Sequence, residues 1–377
     1  MKRIPFNQPF TVGTEYDRLR EAIASGHLSG NGKYTKLCQQ WLERETGCAK
    51  ALLTHSCTAA LEMSALLADI EPGDEVIMPS YTFVSTANAF VLRRATPVFI
   101  DIREDTLNID ESLIEAAITP DTKAICVVHY AGVACEMDTV MKIAQKHGLA
   151  VIEDAAQAIG SMYKGKPLGS FGQTAALSFH ETKNLISGEG GALLINDPEL
   201  AERAEIIWEK GTNRSRFFRG EVDKYTWMDV GSSFLPSELV AAFLSVQLEN
   251  SADINALRMT LWQRYRDALD PLFRAGKLRA PVIPDDCSHN AHMFHVLTRT
   301  PDEQTALLAS LRDAGIGGVF HYIPLHSAPA GQRFGRAGSK MDNTDSLSAR
   351  LVRLPLYSGL DSEGSAKVVS AIFEHFN

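Results

Sequence analysis

Lys183 is the residue whose type and position most clearly suggest covalent chemistry. It lies within residues 178–184, SFHETKN, directly after the apolar segment 175–177, and residues 187–191 read SGEGG. A lysine in a dry pocket loses its proton more readily and becomes a nucleophile toward aldehydes. A glycine-rich turn lets a backbone or a ligand approach closely. Most single lysines are solvated surface charges, so spacing alone leaves both interpretations of Lys183 open.

Asp154 is a second candidate, because it follows the apolar residues Val151 and Ile152 at the end of a predicted strand. One interpretation is a helix N-cap, a position that Asp favours. The other is a carboxylate that keeps a pyridinium nitrogen protonated, so that the ring stabilises a substrate carbanion. Gln157 lies about one helical turn further along and could reach the same ligand.

Two further turns carry residue types that suit a flat, phosphorylated ligand. The sequence of residues 54–61, THSCTAAL, predicts the end of a strand, a turn and the start of a helix. The unpaired N–H groups at the helix start and the hydroxyls of Ser56 and Thr58 could bind a phosphate. An aromatic ring among residues 79–83, such as Phe83, could stack on a planar group. The alternatives are an ordinary capped turn and a core aromatic.

Most of these candidates follow short apolar segments that alternate with helical patterns. Predicted strands cover residues 51–53, 75–78, 97–100, 124–128 and 150–152. This alternation is typical of an α/β domain with a mostly parallel sheet. Such sheets bind ligands at the carboxyl ends of their strands, which is where we expect the chemistry.

The last third of the chain has a different pattern. A long helical stretch is predicted from residue 236 to residue 273, followed by a proline-marked loop, a strand at 295–298 and a helix at 303–314. A chain of 377 residues usually exceeds one core. We therefore expect a large domain at residues 1–250 and a smaller α+β domain at residues 251–377.

The composition narrows the class of function. The formal net charge of −9 argues against general nucleic-acid binding. We expect no signal peptide and no membrane span. The six cysteines form no C-x-x-C pair and no zinc spacing, so we expect reduced thiols, no metal site and a cytoplasmic location.

The motifs together resemble the DegT/DnrJ/EryC1/StrS family of sugar aminotransferases, which depend on pyridoxal 5'-phosphate (PLP). The resemblance covers nearly the whole chain and includes EDAAQ at 153–157, SFHETKN at 178–184, GEGG at 188–191, HYIPLH at 321–326 and LPL at 354–356. It implies the PLP-dependent transferase fold of aspartate aminotransferase (type I), with a mostly parallel seven-stranded sheet in the large domain and a smaller α+β C-terminal domain. It also implies a homodimer with the active site at the subunit interface.

The resemblance also implies roles for individual residues. Lys183 would carry PLP as a Schiff base, and Asp154 would pair with the pyridine nitrogen. The other implied cofactor contacts are Gln157 at the ring hydroxyl, Phe83 on the ring, and Thr58, Ala59 and Ser178 at the phosphate.

One segment departs from the family pattern. Residues 231–236 read GSSFLP, whereas many relatives have Gly-x-Asn-x-Arg-Met. Ser233 stands where that Asn reaches the partner's phosphate, and its hydroxyl could still donate one hydrogen bond.

A nucleotide diphosphate needs positively charged donors. Arg214 and Arg219 lie in one short basic segment, which is either a solvated loop or a nucleotide-binding loop. Tyr322 and His326 are further candidates for the sugar or the nucleotide, with a structural role as the alternative.

Residues 210–220 and the GSS variant are similar to those of transaminases that aminate C4 of a dTDP-linked sugar. We therefore expect dTDP-4-dehydro-6-deoxy-D-glucose and L-glutamate to give dTDP-4-amino-4,6-dideoxy-D-galactose and 2-oxoglutarate, for the biosynthesis of a surface polysaccharide, enterobacterial common antigen. Alternatives are another nucleotide, amination at C3, or a non-catalytic PLP-binding regulator. Related sugar dehydratases carry histidine in place of Lys183, which argues against that class.

Overall fold

A computed structural model describes residues 3–376. Its strands, in chain order, are β1 (Lys50–Thr54), β2 (Glu75–Pro79), β3 (Thr96–Ile100), β4 (Thr122–Val128), β5 (Ala150–Asp154), β6 (Met162–Tyr163), β7 (Lys166–Pro167), β8 (Thr174–Ser178), β9 (Gly191–Ile195), β10 (Cys287–Ser288), β11 (Phe294–Leu297), β12 (Arg336–Ala337) and β13 (Leu351–Leu354).

The helices over the same residues are α1 (Glu15–Ala24), α2 (Lys33–Thr46), α3 (Cys57–Leu67), α4 (Val84–Val91), α5 (Ile114–Ala117), α6 (Met137–His147), α7 (Ala201–Trp208), α8 (Arg214–Phe218), α9 (Glu238–Glu249), α10 (Ser251–Ala268), α11 (Asp270–Arg274), α12 (Pro301–Asp313), α13 (Pro329–Phe334), α14 (Asp342–Ser348) and α15 (Ser362–Phe376). Within the described chain, no helix combines the length and the apolarity needed to cross a bilayer.

The main sheet has the strand order β1-β9-β8-β5-β4-β2-β3-β12. Neighbouring strands from β8 to β12 run parallel, and β9 runs antiparallel to both β1 and β8. This confirms the predicted mostly parallel sheet. The short strand β12 adds an eighth member at the β3 edge, and it comes from the C-terminal third of the chain.

Buried apolar residues lie on both faces of this sheet. One cluster includes Leu53, Ile125 and Val151 with residues of α2 and α9. A second cluster includes Leu52 and Ile152 with residues of α3 and α7. Neighbouring residues of one strand alternate between the two clusters, which is why these strands are apolar throughout.

The prediction of one long helical stretch from residue 236 to residue 273 is wrong, because the structure has three helices there, α9, α10 and α11. The first break is at Asn250, which has non-helical dihedral angles of −107° and 18° and donates its side-chain amide to the Val246 carbonyl. The second is at Leu269, just before Pro271, which lacks the N–H that a continuing helix requires. The apolar periodicity continues through both breaks, so sequence alone does not reveal them.

The C-terminal part forms a third apolar cluster around the antiparallel pair β11 and β13, with α10, α12 and α15 packed around it. Ile4, near the N-terminus, also belongs to this cluster. In contrast, Leu325 and Met341 pack into the second cluster under the main sheet. Because the third cluster is separate from the two clusters on the sheet, we propose that the boundary between the two domains lies near residue 250. Residues 325–341 follow this boundary in the chain but pack against the large domain.

Candidate active site

A cavity of about 500 Å³ opens at the carboxyl edge of the main sheet. Its walls come from the ends of β5 and β8, the starts of α3 and α4, and a C-terminal segment around Tyr322. The predicted site residues that line it are Thr58, Phe83, Asp154, Gln157, Ser178, Lys183 and Tyr322. The structure therefore brings together most of the residues predicted from separate motifs, in the position expected for a parallel sheet.

Lys183 enters the cavity from the loop after β8. Its backbone N–H donates to the His180 carbonyl at 2.9 Å, which fixes the turn. Burial lowers the pKa of the Lys183 amine, and the charge of Arg353 lowers it further, while Cys57 and Asp154 oppose the shift. Over residues 3–376 no side chain forms a hydrogen bond to this amine, so it is available as a nucleophile.

Close packing explains why the segment after Lys183 ends in a glycine, Gly191. A Cβ atom at Gly191 would lie 2.4 Å from the Ser56 carbonyl carbon and 2.5 Å from the Cys57 nitrogen. Only glycine allows the start of β9 to pack this closely on the turn before α3. The glycine motif after Lys183 therefore packs directly against the turn that is the predicted phosphate site.

Asp154 is the last residue of β5, and only 5% of it is exposed. Its Oδ2 accepts the Thr86 hydroxyl at 2.7 Å, and its Oδ1 accepts the Ala156 N–H at 3.2 Å. Burial raises the pKa of Asp154, although these hydrogen bonds lower it. No helix begins here, so the helix N-cap alternative is wrong: the chain turns after Asp154.

Gln157 is buried and joins two parts of the cavity wall. Its Oε1 accepts the Ala131 N–H at 2.7 Å, and its Nε2 donates to the Tyr322 hydroxyl at 3.1 Å. Since each amide nitrogen carries two hydrogens, one remains for a ligand. Contact of Gln157 with a ring hydroxyl stays a prediction.

The predicted phosphate turn is an N-capped helix start. The Ser56 hydroxyl accepts the Ala59 N–H at 3.1 Å, and the Thr58 hydroxyl lies 2.8 Å from that of Ser85. The first N–H groups of α3 have no acceptor within the helix, which favours an anion at this end. Ala59 is buried and its N–H is already engaged, so Cys57 and Thr58 are the more open donors.

Phe83 precedes α4, and 55% of the residue is exposed. Its ring centroid lies 6.1 Å from that of Tyr322. An apolar ring that borders a cavity and stays uncovered leaves space for a flat partner. Stacking of Phe83 on a cofactor ring stays a prediction.

Besides Ala59, four predicted residues do not line the cavity of their own subunit. Ser233 is exposed and pairs with Glu209 through the backbone. The Nδ1 atom of His326 lies 2.7 Å from the Ser80 hydroxyl, and the Nε2 atom of His326 lies 3.3 Å from a carboxylate oxygen of Asp345. Their assignments stay predictions.

Arg214 and Arg219 are the other two residues outside the cavity. Arg219 is held by Glu205 at 2.8 Å and Glu221 at 2.7 Å. The Arg214 guanidinium lies 5.0 Å from the Phe218 ring centroid. A contact of these arginines with a nucleotide would have to be made across a subunit interface, and it stays a prediction.

Several residues of the site were not identified from the sequence. Phe6, His292 and Arg353 line the cavity and come from distant parts of the chain. Thr86 does not line the cavity, but its hydroxyl donates to Asp154. No local spacing marks them, because a β-strand arginine or an N-terminal phenylalanine is common in any fold. His321 lies within a motif that carried the resemblance, and that motif was the only available signal.

The donors in this cavity fit PLP. Asp154 is a buried carboxylate without a cationic hydrogen-bond partner in the described chain, and a protonated pyridine nitrogen would supply one. Thr58 and Ser178 offer hydroxyls where a phosphate would lie, and the Lys183 amine would hold the aldehyde carbon. When bound, PLP supplies an electron-withdrawing ring that stabilises negative charge at the substrate carbon.

Comparison with known proteins gives the same result. Residues 11–373 match the DegT/DnrJ/EryC1/StrS aminotransferase family. The chain is 35% identical over 384 residues to the spore coat polysaccharide biosynthesis protein SpsC of Bacillus subtilis (strain 168), covering 98% of this chain and 96% of SpsC.

Solved structures share the whole fold. The aminotransferase TlmJ from Streptoalloteichus hindustanus superposes with a TM-score of 0.91 at 29% identity, over 99% of this chain and 98% of TlmJ. Spr1654 from Streptococcus pneumoniae, in its PLP and PMP forms, gives a TM-score of 0.89 at 25% identity, over 99% and 98% of the two chains. Since the family match extends over nearly all of the sequence and the cavity suits the cofactor, this chain belongs to the DegT/DnrJ/EryC1/StrS family of PLP-dependent aminotransferases.

Proposed function

We propose that the protein is a nucleotide-sugar aminotransferase, dTDP-4-amino-4,6-dideoxy-D-galactose transaminase. It would transfer the amino group of L-glutamate to C4 of dTDP-4-dehydro-6-deoxy-D-glucose, giving dTDP-4-amino-4,6-dideoxy-D-galactose and 2-oxoglutarate. The observation that carries the aminotransferase part is the Lys183 amine, whose pKa is lowered by burial, in one cavity with the buried Asp154 carboxylate. The sugar and the nucleotide rest on the similarity of residues 210–220 and 231–236 to such transaminases.

The residues would divide the work as follows. Lys183 would hold the cofactor, and its amine would move the proton at the substrate carbon. Asp154 keeps the ring nitrogen protonated, and Thr86 holds Asp154 in place. The remaining residues that would bind the cofactor are Gln157, Phe83, Thr58, Ala59, Ser178 and, from a second subunit, Ser233.

The proposed setting is the cytoplasm, where a homodimer would supply a nucleotide sugar for surface polysaccharide, enterobacterial common antigen in particular. The name of SpsC places that relative in spore coat polysaccharide synthesis, which supports a role in polysaccharide precursors. Arg214 and Arg219 would bind the nucleotide diphosphate across the subunit interface, and Tyr322 and His326 would lie on the substrate side.

The test is incubation of the purified holoenzyme with dTDP-4-dehydro-6-deoxy-D-glucose and L-glutamate, followed by NMR of the product. We expect an amine at C4 with the galacto configuration. An amine at C3 would assign a different regiochemistry. Turnover only with a UDP- or GDP-linked ketosugar would change the nucleotide, and no amination of any ketosugar would favour a regulator.

A further inference from the structure

His292 is a buried residue of the active-site cavity, and its two ring nitrogens have different surroundings. It lines the same cavity as Lys183, and only 6% of it is exposed. Its Nδ1 lies 3.0 Å from the side-chain oxygen of Asn184, the residue that follows Lys183. Among the described residues, nothing forms a hydrogen bond with its Nε2. One nitrogen of the ring is thus held by the protein, and the other is free to bind.

The hydrogen bonds of Asn184 determine which nitrogen of His292 carries the hydrogen. The Asn184 amide nitrogen donates to the Asn290 backbone carbonyl at 2.7 Å and to the Asn255 side-chain oxygen at 3.0 Å. The atom that faces His292 is therefore the Asn184 oxygen, which can only accept, so His292 Nδ1 must be the donor. Burial lowers the pKa of His292, and the charge of Lys183 lowers it further. The ring is thus neutral near neutral pH, and its Nε2 is a lone-pair acceptor.

The backbone around His292 is held as firmly as its ring. Arg258 is buried and donates to the carbonyls of Ala291 at 3.2 Å and His292 at 2.6 Å. The side-chain oxygen of Asn290 accepts the His292 N–H at 3.0 Å. Ala291 has a φ of 51°, a left-handed conformation that is unfavourable for an alanine. Buried polar contacts that maintain such a conformation beside a cavity point to a functional reason for the direction of this imidazole.

Lys183 is the group in the cavity that lacks an acceptor. No side chain of the described residues forms a hydrogen bond to its amine. Among the charges that act on His292, that of Lys183 has the largest effect, which places the two groups near each other. Arg258, which also acts on His292, already donates to two carbonyls. The cavity thus contains an acceptor without a donor and a donor without an acceptor.

We propose that His292 is a positioning residue for Lys183, and that its Nε2 accepts a hydrogen bond from the Lys183 amine whenever this amine is not bonded to the cofactor. A free lysine side chain has many rotamers, and a fixed acceptor restricts it to those that reach the substrate carbon. The amine is then placed to take and return the proton at that carbon. The inference rests on the aminotransferase activity and not on the identity of the sugar or of the amino donor.

Two substitutions separate the roles of the two ring nitrogens. His292→Asn keeps an N–H that can reach Asn184, but it has no acceptor at the position of Nε2. His292→Gln reaches that position with an amide oxygen, but it has no donor at the position of Nδ1. His375→Asn is the control, because His375 lies on α15 outside the cavity and forms a hydrogen bond with the Ser310 hydroxyl.

The first measurement is the pKa of Lys183 in its released state. This state is prepared by adding pyridoxamine 5'-phosphate, the amino form of the cofactor, to the apoprotein. Peptide mass spectrometry then follows the rate at which an acylating reagent labels Lys183 across a pH series, because only the unprotonated amine reacts. A hydrogen bond to a neutral imidazole stabilises the ammonium form, so its loss lowers the pKa of Lys183. We expect the labelling midpoint of His292→Asn to fall by about one to two pH units, while the other three proteins agree.

The second measurement is the proton transfer itself. Each holoenzyme is mixed with L-glutamate, or with L-glutamate deuterated at the α carbon, without any sugar, and the cofactor absorbance gives the rates. A misplaced lysine slows proton transfer, so His292→Asn should react at least about tenfold more slowly than wild type. The deuterium isotope effect should increase, because proton transfer then limits the rate. The apparent Kd for glutamate should not change.

Three results would overturn the proposal. Equal labelling midpoints in all four proteins would remove the hydrogen bond to Lys183, and equal midpoints with a higher KM for the ketosugar would assign Nε2 to the substrate. Larger losses in His292→Gln than in His292→Asn would make the bond to Asn184, and a structural role, the important one. If His292→Asn does not fold, His292→Leu takes its place in the same measurements. A wild-type enzyme inert to glutamate would refute the proposed donor, whereas the labelling experiment would still decide the role of His292.

Discussion

The Thr86 hydroxyl donates to Asp154 Oδ2 at 2.7 Å, and this hydrogen bond joins α4 to the end of β5. Since Thr86 gives its only hydrogen to Asp154, it accepts a hydrogen bond from Thr82, whose hydroxyl lies 2.8 Å away. Both threonines are buried. The acid that would hold the cofactor ring is thus oriented by a short chain of hydroxyls.

We predict that Thr86→Val weakens cofactor binding with little change in shape. Burial raises the pKa of Asp154, and the Thr86 bond opposes that shift, so its loss raises the pKa further and leaves the carboxylate less charged. The expected cost is about 1.5–3 kcal/mol, the usual value of a hydrogen bond to a charged group. Titration of the apoprotein with PLP measures it. Thr86→Ser should retain nearly wild-type affinity, and equal affinities for all three proteins would contradict the argument.

Lys183→Ala should stop turnover completely and remove the visible absorbance of the bound cofactor. Reduction of the wild-type holoenzyme with borohydride, followed by peptide mass spectrometry, should find the cofactor mass on residue 183. Lys166→Ala is the control, because that lysine lies outside the cavity, over the Phe171 ring. Labelling of any other lysine in the wild type would refute the assignment of Lys183.

The sequence predicted the parts of this site that follow strands. Lys183 and Asp154 stand at the carboxyl ends of apolar segments, where topology alone places ligand contacts. The hydroxyl residues near Ser56 and the glycines up to Gly191 likewise form short local patterns that predicted a place for a ligand. Phe6 and Arg353 gave no such signal, because they reach the cavity through packing between elements that are far apart in the chain. Thr86 gave none either, because its contact with Asp154 joins residues 68 positions apart.

The breaks within the predicted long helix show the same limit. Apolar spacing persists from α9 into α10, so the pattern favours one helix, and only the conformation of Asn250 separates the two. The extra sheet strand β12 is two residues long and pairs with β3 by tertiary contact. A segment this short carries no periodicity that a sequence could display.

Glu153→Gln should destabilise the fold by about 3 kcal/mol, the upper part of the range for a hydrogen bond to a charged group. Glu153 is wholly buried and accepts hydrogen bonds from His129 Nε2 at 2.9 Å and from the N–H groups of Gly169, Phe171 and Gly172 at 2.7–2.8 Å. A glutamine would place an amide NH₂ against donors. Chemical denaturation at neutral pH measures the change, and the exposed Glu199→Gln should leave stability unchanged.

The same carboxylate predicts a pH dependence. Burial raises the pKa of Glu153, but the His129 and backbone hydrogen bonds outweigh it, so the pKa is lowered overall. A lowered pKa stabilises the fold above the unfolded-state pKa of Glu, and that contribution is lost as the pH falls through the folded-state value. Wild-type Tm should therefore decline in acid more steeply than that of Glu153→Gln. If the Tm of the two proteins falls equally with decreasing pH, the ionisation of Glu153 does not contribute to the stability of the fold.

Arg214→Ala and Arg219→Ala should both raise the KM for the nucleotide sugar, and the Arg214 effect should be larger, about tenfold. Arg219 already has two carboxylate partners, Glu205 and Glu221, and must exchange them to bind a phosphate. Arg214 has a buried Nε without a partner and lies over the Phe218 ring, so its guanidinium has unused donors. Steady-state kinetics at saturating glutamate give both values, with the exposed Arg274→Ala as the control. If neither substitution changes KM, the basic segment is a solvated loop and the diphosphate must bind elsewhere.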